Sequence, residues 1–178
     1  LTLGLATSTQ DASGETTALN TEFTVSPKRL ADVLASFQGT IWQTPPMVSA
    51  VRVGGRRLYE LAREGVSVPR KPRQVQIHAI NIMAIWHEQE TLGFGTRVLL
   101  RVVCSKGTYI RTLCHDIGEK LGVGAHMSFL TRVKSGPLHS SQAYTLEEIT
   151  ELVERGSLEF LLPMQHALPD WVQVKVHP

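Results

Sequence analysis

The chain is 178 residues long, 42% hydrophobic and 19% charged, with a formal net charge of +2. That is a globular composition, enough for one domain with a good core, or for most of one domain and the start of another. No run of eighteen apolar residues occurs, so no membrane span is expected, and no signal peptide is read at the start.

Leu1 to Ala6 reads as the end of a strand, and the chain opens on Leu as if inside one, so a piece of a longer protein is expected. Thr7 to Gly14 is a polar turn in which the Asp11 side chain can bond its own backbone. Ser26-Pro27 is a helix start, an N-cap followed by proline at the first helical position. Leu30, Val33, Leu34 and Phe37 then form an apolar stripe that ends at Gly39, a packing helix. Thr44-Pro45-Pro46 stops regular structure. Residues 51–57 read as a short hairpin through Gly54-Gly55, followed by a short helix from Leu58 to Glu64 and a loop rich in proline and basic residues to Arg73.

Val75 to Trp86 alternates, with a phase slip near His78 that predicts a bulge. Arg97 to Cys104 is its expected partner strand across a loop holding Gly93 and Gly95. From Thr108 to Leu121, Ile110, Leu113, Ile117 and Leu121 recur at helical spacing. Thr145-Leu146-Glu147-Glu148 is a capping box for a helix that turns Leu146, Ile149, Leu152 and Val153 inward and ends at Gly156. Leu161 to Pro169 reads as a linker, and Trp171 to Val176 as the first strand of another module.

Charge is unevenly spread. Residues 52–73 hold Arg52, Arg56, Arg57, Arg63, Arg70, Lys71 and Arg73 against two glutamates, a net +5. Residues 101–134 are net +4, and everything from 135 onward is net −4. A basic middle and an acidic tail suit a polyanion held by the central part. Cys104 and Cys114 are ten residues apart, which is neither a disulfide nor a metal spacing and fits a reducing compartment. With His115 and His126 they match no zinc pattern, so no metal site is expected.

The most informative stretch is Cys104 to Arg111, Cys-Ser-Lys-Gly-Thr-Tyr-Ile-Arg. A strand that breaks at Ser-Lys-Gly and restarts as a helix leaves backbone N–H groups unpaired at the helix start, an end that attracts phosphate or carboxylate. Lys106 and Arg111 add two cations and Tyr109 a ring, so one anion-seeking corner carries a stacking surface and a guanidinium able to grip a carboxylate at two points.

Cys104 to Leu121 (CSKGTYIRTLCHDIGEKL) strongly resembles the arginine motif of TruB-type tRNA pseudouridine synthases. Three further segments resemble the family in the same order: Leu3 to Gly14, Phe37 to Gly65 and Phe129 to Gly136. The resemblance implies an α+β fold, a mixed and largely antiparallel sheet with flanking helices, incomplete at its N-terminal side. It implies that residues 1–162 are the later part of the catalytic domain, with an RNA-binding thumb at 43–73, and that 163–178 are a linker and the start of a C-terminal RNA-binding module. The expected activity is conversion of the T-loop uridine of tRNA to pseudouridine, without cofactor or metal, by a cytoplasmic monomer whose partner is the T-stem loop.

Pseudouridine formation detaches uracil from its ribose, turns it and rejoins it through carbon. The chemistry needs an attacking aspartate, a pocket for a flipped base and a cation that keeps the aspartate ionised and aimed. By resemblance Arg111 is that cation, Tyr109 contacts the target uracil and Leu130 lines the pocket. Arg52, Arg56, Arg57, Arg63, Lys106 and Arg132 would reach RNA phosphates, while Tyr59 braces the thumb. Where the family usually has Thr-Asp-Thr-x-Asp-x-x-Gly, Ser8 replaces the first acidic residue, and Asp11 and Gly14 remain. The turn explains Asp11 as a local cap. The family's nucleophile lies in a Gly-Thr-Leu-Asp-Pro type motif, and none of the 178 residues match it, so the isolated chain is expected to be inactive. The alternative from another class is a non-catalytic RNA-binding module or degenerate paralogue.

Overall fold

A computed structural model describes residues 1–87 and 90–167. The expected strand at Trp171 to Val176 and the end of the expected linker lie outside the described residues. The chain divides into two compact units, at Phe129/Leu130.

The first unit is α+β. Its main sheet takes in β1 (Thr2–Leu3), β4 (Gly39–Gln43), β7 (Arg73–Trp86), β8 (Arg97–Cys104) and β9 (Ala125–His126), in the order β4-β7-β8-β1-β9. Every pairing between these strands is antiparallel, and the one parallel bridge among the described residues is the isolated Asp11–Met127 contact. β7 and β8 form the long central ladder, from Ile77 opposite Cys104 to Trp86 opposite Arg97. The ladder slips between Ile77 and Ala79, as the sequence predicted, and again between Ile82 and Ala84. Bulges of this kind add twist to a long strand pair.

Smaller ribbons hang on this sheet. β2 (Leu5–Thr7) pairs with β3 (Thr16–Leu19), and β5 (Arg52–Val53) pairs with β6 (Arg56–Arg57) to make the hairpin expected through Gly54-Gly55. Gly4 separates β1 from β2 with φ +93°, where a Cβ would meet Phe94 Cδ2 at 2.6 Å. Only glycine permits that turn without strain.

Two helices cover the sheet. α1 (Pro27–Ala35) starts as the sequence indicates, with the Ser26 hydroxyl accepting from the Arg29 N–H at 3.1 Å, and buries Leu30, Val33 and Leu34. α3 (Ile110–Leu121) starts two residues later than Thr108 and buries Leu113, Cys114 and Ile117. These residues form one core with Leu3, Ile77, Ile80, Leu92 and Val98. At such sites a leucine-to-alanine change costs about 2–5 kcal/mol. Burial pushes the Cys114 thiol up to about 11, which makes it a packing residue and no nucleophile. Gly118 lets α3 lie directly on β9, since a Cβ there would stand 2.2 Å from the Ala125 nitrogen. α2 (Leu58–Arg63) follows the hairpin directly and buries Leu58 and Leu61.

The second unit holds a short hairpin, β10 (Lys134–Ser135) with β11 (Leu138–His139), and α4 (Leu146–Glu154). The capping box forms: Thr145 Oγ1 accepts from the Glu148 N–H at 3.2 Å, and Glu148 Oε2 accepts from the Thr145 N–H at 2.6 Å. The inward stripe does not form as expected. Leu146 is 80% exposed and Val153 53%, while Ile149 and Leu152 are half-buried. The capping box sets where the helix begins and says nothing of what lies against its faces; no described residue of this unit is fully buried.

Candidate active site

Tyr109 is the last extended residue before α3, with φ −95° and ψ 104°. The preceding turn is tied internally, Thr108 Oγ1 donating to the Ser105 carbonyl at 2.9 Å. It is tied to the sheet as well, Ser105 Oγ accepting from the Gln76 N–H at 3.0 Å. Lys106 stands exposed on this turn. Arg111, in the first turn of α3, points back toward the Thr7–Gly14 loop. One of its nitrogens donates to Asp11 Oδ2 at 3.1 Å and the other to the Val48 carbonyl. The side chains of Arg111 and Asp11 are 21% and 18% exposed, so this pair is sheltered from water.

Asp11 has two jobs. As the turn sequence indicates, it caps its own loop: Oδ1 accepts from the Thr9 hydroxyl at 2.6 Å, the Ser13 hydroxyl at 2.6 Å and the Ser13 N–H at 3.1 Å. Its other oxygen takes Arg111. Partial burial is the strongest single influence on its ionisation and pushes the carboxyl up. The hydrogen bonds from Ser13 and Thr9, helped by the Arg111 charge, outweigh it and hold the group below its ordinary value. Nothing local in the sequence pairs Asp11 with a residue a hundred positions away, and this functional candidate was missed as an arginine partner.

A cavity of about 660 Å³ opens beside Arg111. Ser8 and Thr9 line it from one side, Met47 to Ala50 from another, and Tyr59, Ala62 and Arg63 from α2. Tyr109 is half-buried and does not line this cavity. The cavity places Arg63, one of the expected phosphate-contacting arginines, on the same concave surface as Arg111.

The other arginines of the hairpin are exposed and organised by near neighbours. Arg56 is ion-paired with Glu64 at 2.5 Å, and Arg57 donates to the Tyr59 hydroxyl at 3.0 Å. The Arg57 and Arg63 guanidinium carbons lie 5.8 and 5.4 Å from the centre of the Tyr59 ring. The Tyr59 ring is thus flanked by two cations at cation–π distance. Arg52 is exposed and has no ion-pair partner among the described residues. Leu130 and Arg132 belong to the second unit, both exposed.

The arrangement can hold an anion at Arg111, beside an open cavity, and meet a polyanion along the hairpin. The model of the TruB family pseudouridylate synthase N-terminal domain matches residues 1–110, and that of the tRNA pseudouridylate synthase B C-terminal domain matches residues 111–169. tRNA pseudouridine synthase B of Streptococcus pneumoniae serotype 4 is 47% identical over 179 aligned residues, covering 100% of this chain and 60% of that protein. The Symbiobacterium thermophilum protein of the same name is 47% identical, covering 99% of this chain and 56% of its own length. The chain thus spans less than two thirds of these relatives. Among solved structures, a chain of a Cbf5–Nop10–Gar1 complex superposes with a TM-score of 0.59 at 32% identity, over 80% of this chain and 39% of that one. A chain of an H/ACA RNP bound to a substrate RNA containing 2′-deoxyuridine gives 0.55 at 27% identity, over 82% and 38%. With a family model matched over more than half its length, the chain belongs to the TruB family of tRNA pseudouridine synthases.

Proposed function

We propose that the full-length protein isomerises the T-loop uridine of tRNA to pseudouridine, and that these 178 residues form its pocket and RNA-gripping part. In the isomerisation the bond from C1′ to N1 breaks and one from C1′ to C5 forms; C5 gives up its proton and N1 gains one. An aspartate must attack the nucleotide while the base turns, and it must be ionised to do so.

The observation that supports this best is the state of Arg111. Two of its five N–H groups are occupied, by Asp11 and by the Val48 carbonyl, and the side chain still lines the cavity. Its remaining donors can take a second carboxylate, lower its pKa and fix its direction. Tyr109 would lie against the target uracil and Leu130 would line the pocket from beyond. Arg52, Arg56, Arg57, Arg63, Lys106 and Arg132 would follow the backbone of the T-stem loop, a shape-directed mode of RNA recognition. The reaction would run in the cytoplasm, in a monomer, with no cofactor or metal. The isolated chain would be inactive, because no Gly-Thr-Leu-Asp-Pro type segment occurs in it.

Tritium release tests this directly. tRNA labelled at C5 of uridine is incubated with the full-length protein and with this chain alone, the intact mass of each being checked. Release by the full-length protein and none by the chain, with salt-sensitive tRNA binding retained by both, is expected. Release by the chain alone would overturn the assignment of the nucleophile. No release by the full-length protein would favour the non-catalytic RNA-binding reading.

A further inference from the structure

Gln43 is the last residue of β4, at an edge of the main sheet, and as a residue it is 1% exposed. A fully buried carboxamide is costly unless both its ends are satisfied. Here both are satisfied by one distant residue. Gln43 Oε1 accepts from the Tyr109 N–H at 3.0 Å, and Gln43 Nε2 donates to the Tyr109 carbonyl at 3.2 Å. The side chain thus acts as a strand edge would, pairing with the backbone on both sides of the Tyr109 α-carbon. The Tyr109 carbonyl also accepts the Leu113 N–H at 3.0 Å, the first bond of α3, so both of its lone pairs are used. Among the described residues no side chain caps α3 locally. The position of its first residue is held from the sheet.

From this the geometry points to Gln43 as a positioning residue for the uracil-contacting side chain. It fixes φ and ψ at Tyr109 and hence the direction in which the phenol leaves the backbone. The same short segment reaches α3 a second time, through the Val48 carbonyl on the Arg111 guanidinium. Gln43 and Val48 therefore set Tyr109 and Arg111, two residues apart on one helix start, as a pair. An apolar side chain could fill the space Gln43 occupies and join β4 to α3, but it could not hold the Tyr109 peptide groups. The inference rests on Tyr109 contacting the target base, and the test separates the two.

In the full-length protein, Gln43→Met removes both hydrogen bonds at nearly constant volume. Gln43→Glu keeps the acceptor for the Tyr109 N–H but turns an oxygen toward the Tyr109 carbonyl. Three quantities are measured: the single-turnover rate of tritium release, tRNA affinity and amide hydrogen exchange. Both variants are expected to slow the chemical step about 10- to 100-fold, the range a 1 Å misplacement produces. tRNA affinity should stay within about threefold, so that kcat falls and KM does not rise. The Tyr109 amide should exchange at least about tenfold faster while Leu113 to Ile117 remain protected, which a general weakening of α3 would not give. A wild-type rate with a freed Tyr109 amide overturns the inference, as does exchange that rises along the whole of α3. Tyr109→Ala is the control. A wild-type rate there removes the base-contact reading and the inference with it. A slow Tyr109→Ala enzyme beside a fast Gln43→Met enzyme overturns the inference alone.

Discussion

The arginines at the α3 start and on the β5–β6 hairpin are chemically identical and structurally opposite. Arg111 is four-fifths buried, bonded to a carboxylate and a backbone carbonyl from two other parts of the chain, and faces a cavity. Arg52, Arg56 and Arg57 are exposed on a two-residue ladder, and the partners of Arg56 and Arg57 are local, a glutamate and a tyrosine ring within eight residues. A buried guanidinium with fixed partners can aim a reacting carboxylate, because its position costs nothing further to organise during the reaction. An exposed one in salt water gives up a weak local pair for a phosphate and is suited to following a backbone. Placement, and not residue type, divides the two groups.

Removing the buried cation gives the largest expected effect. Arg111→Ala in the full-length protein should reduce tritium release by about a hundred- to a thousandfold, comparable to removing a preorganised electrostatic partner elsewhere, while tRNA affinity stays within a few-fold. Near-normal turnover would end the aiming role. The scaffold beneath the pair comes next. Gly118→Ala drives a methyl group into the β9 backbone and should destabilise the first unit by about 1–3 kcal/mol, read as a lower denaturation midpoint at unchanged slope. An unchanged midpoint would mean that α3 can lift from β9 without cost, and the rigid half of the contrast would fail.

The exposed arginines call for a different measurement. Replacing Arg52 and Arg63 with alanine should weaken tRNA binding about tenfold and flatten the dependence of log Kd on log salt by about one unit per lost phosphate contact. Arg56→Ala should do less, since its charge is already matched by Glu64. Equal salt slopes for wild type and the double variant would take the grip away from the hairpin.

What the sequence made legible follows the same division between local and distant. The β7–β8 ladder, the Ser26-capped α1, the Gly54-Gly55 hairpin and the capping box of α4 each carry their cause within a few residues, and each is present. β4 was unreadable as a strand because its pattern is inverted: Trp42 is 67% exposed and Gln43 is buried. That inversion makes sense only once the carboxamide is seen bonded to Tyr109, sixty-six residues on. β3 is exposed along its whole length and has no apolar periodicity to find. Of the corner, Tyr109 and Arg111 were legible as a motif, while Asp11, Gln43 and Val48, which hold them, were not. Each acts through a contact that the fold creates.

The smallest effect sharpens the comparison most finely, because it tests whether the buried pair is an electrostatic unit at all. Asp11 ionises below its ordinary value in the folded chain. A carboxyl with a depressed folded pKa contributes stability that is fully present above its unfolded value, near 3.8, and is lost as pH falls through the folded one. Wild type should therefore lose stability across that acid range faster than Asp11→Asn. Near neutral pH the variant should be the less stable by about 1–2 kcal/mol, since asparagine keeps an acceptor for Ser13 and Thr9 but not the charge facing Arg111. The gap between the two denaturation midpoints should close as the pH drops below 4. A gap that persists unchanged through the acid range would mean that Asp11 serves its turn by shape alone, and that Arg111 is held by the Val48 carbonyl and by packing.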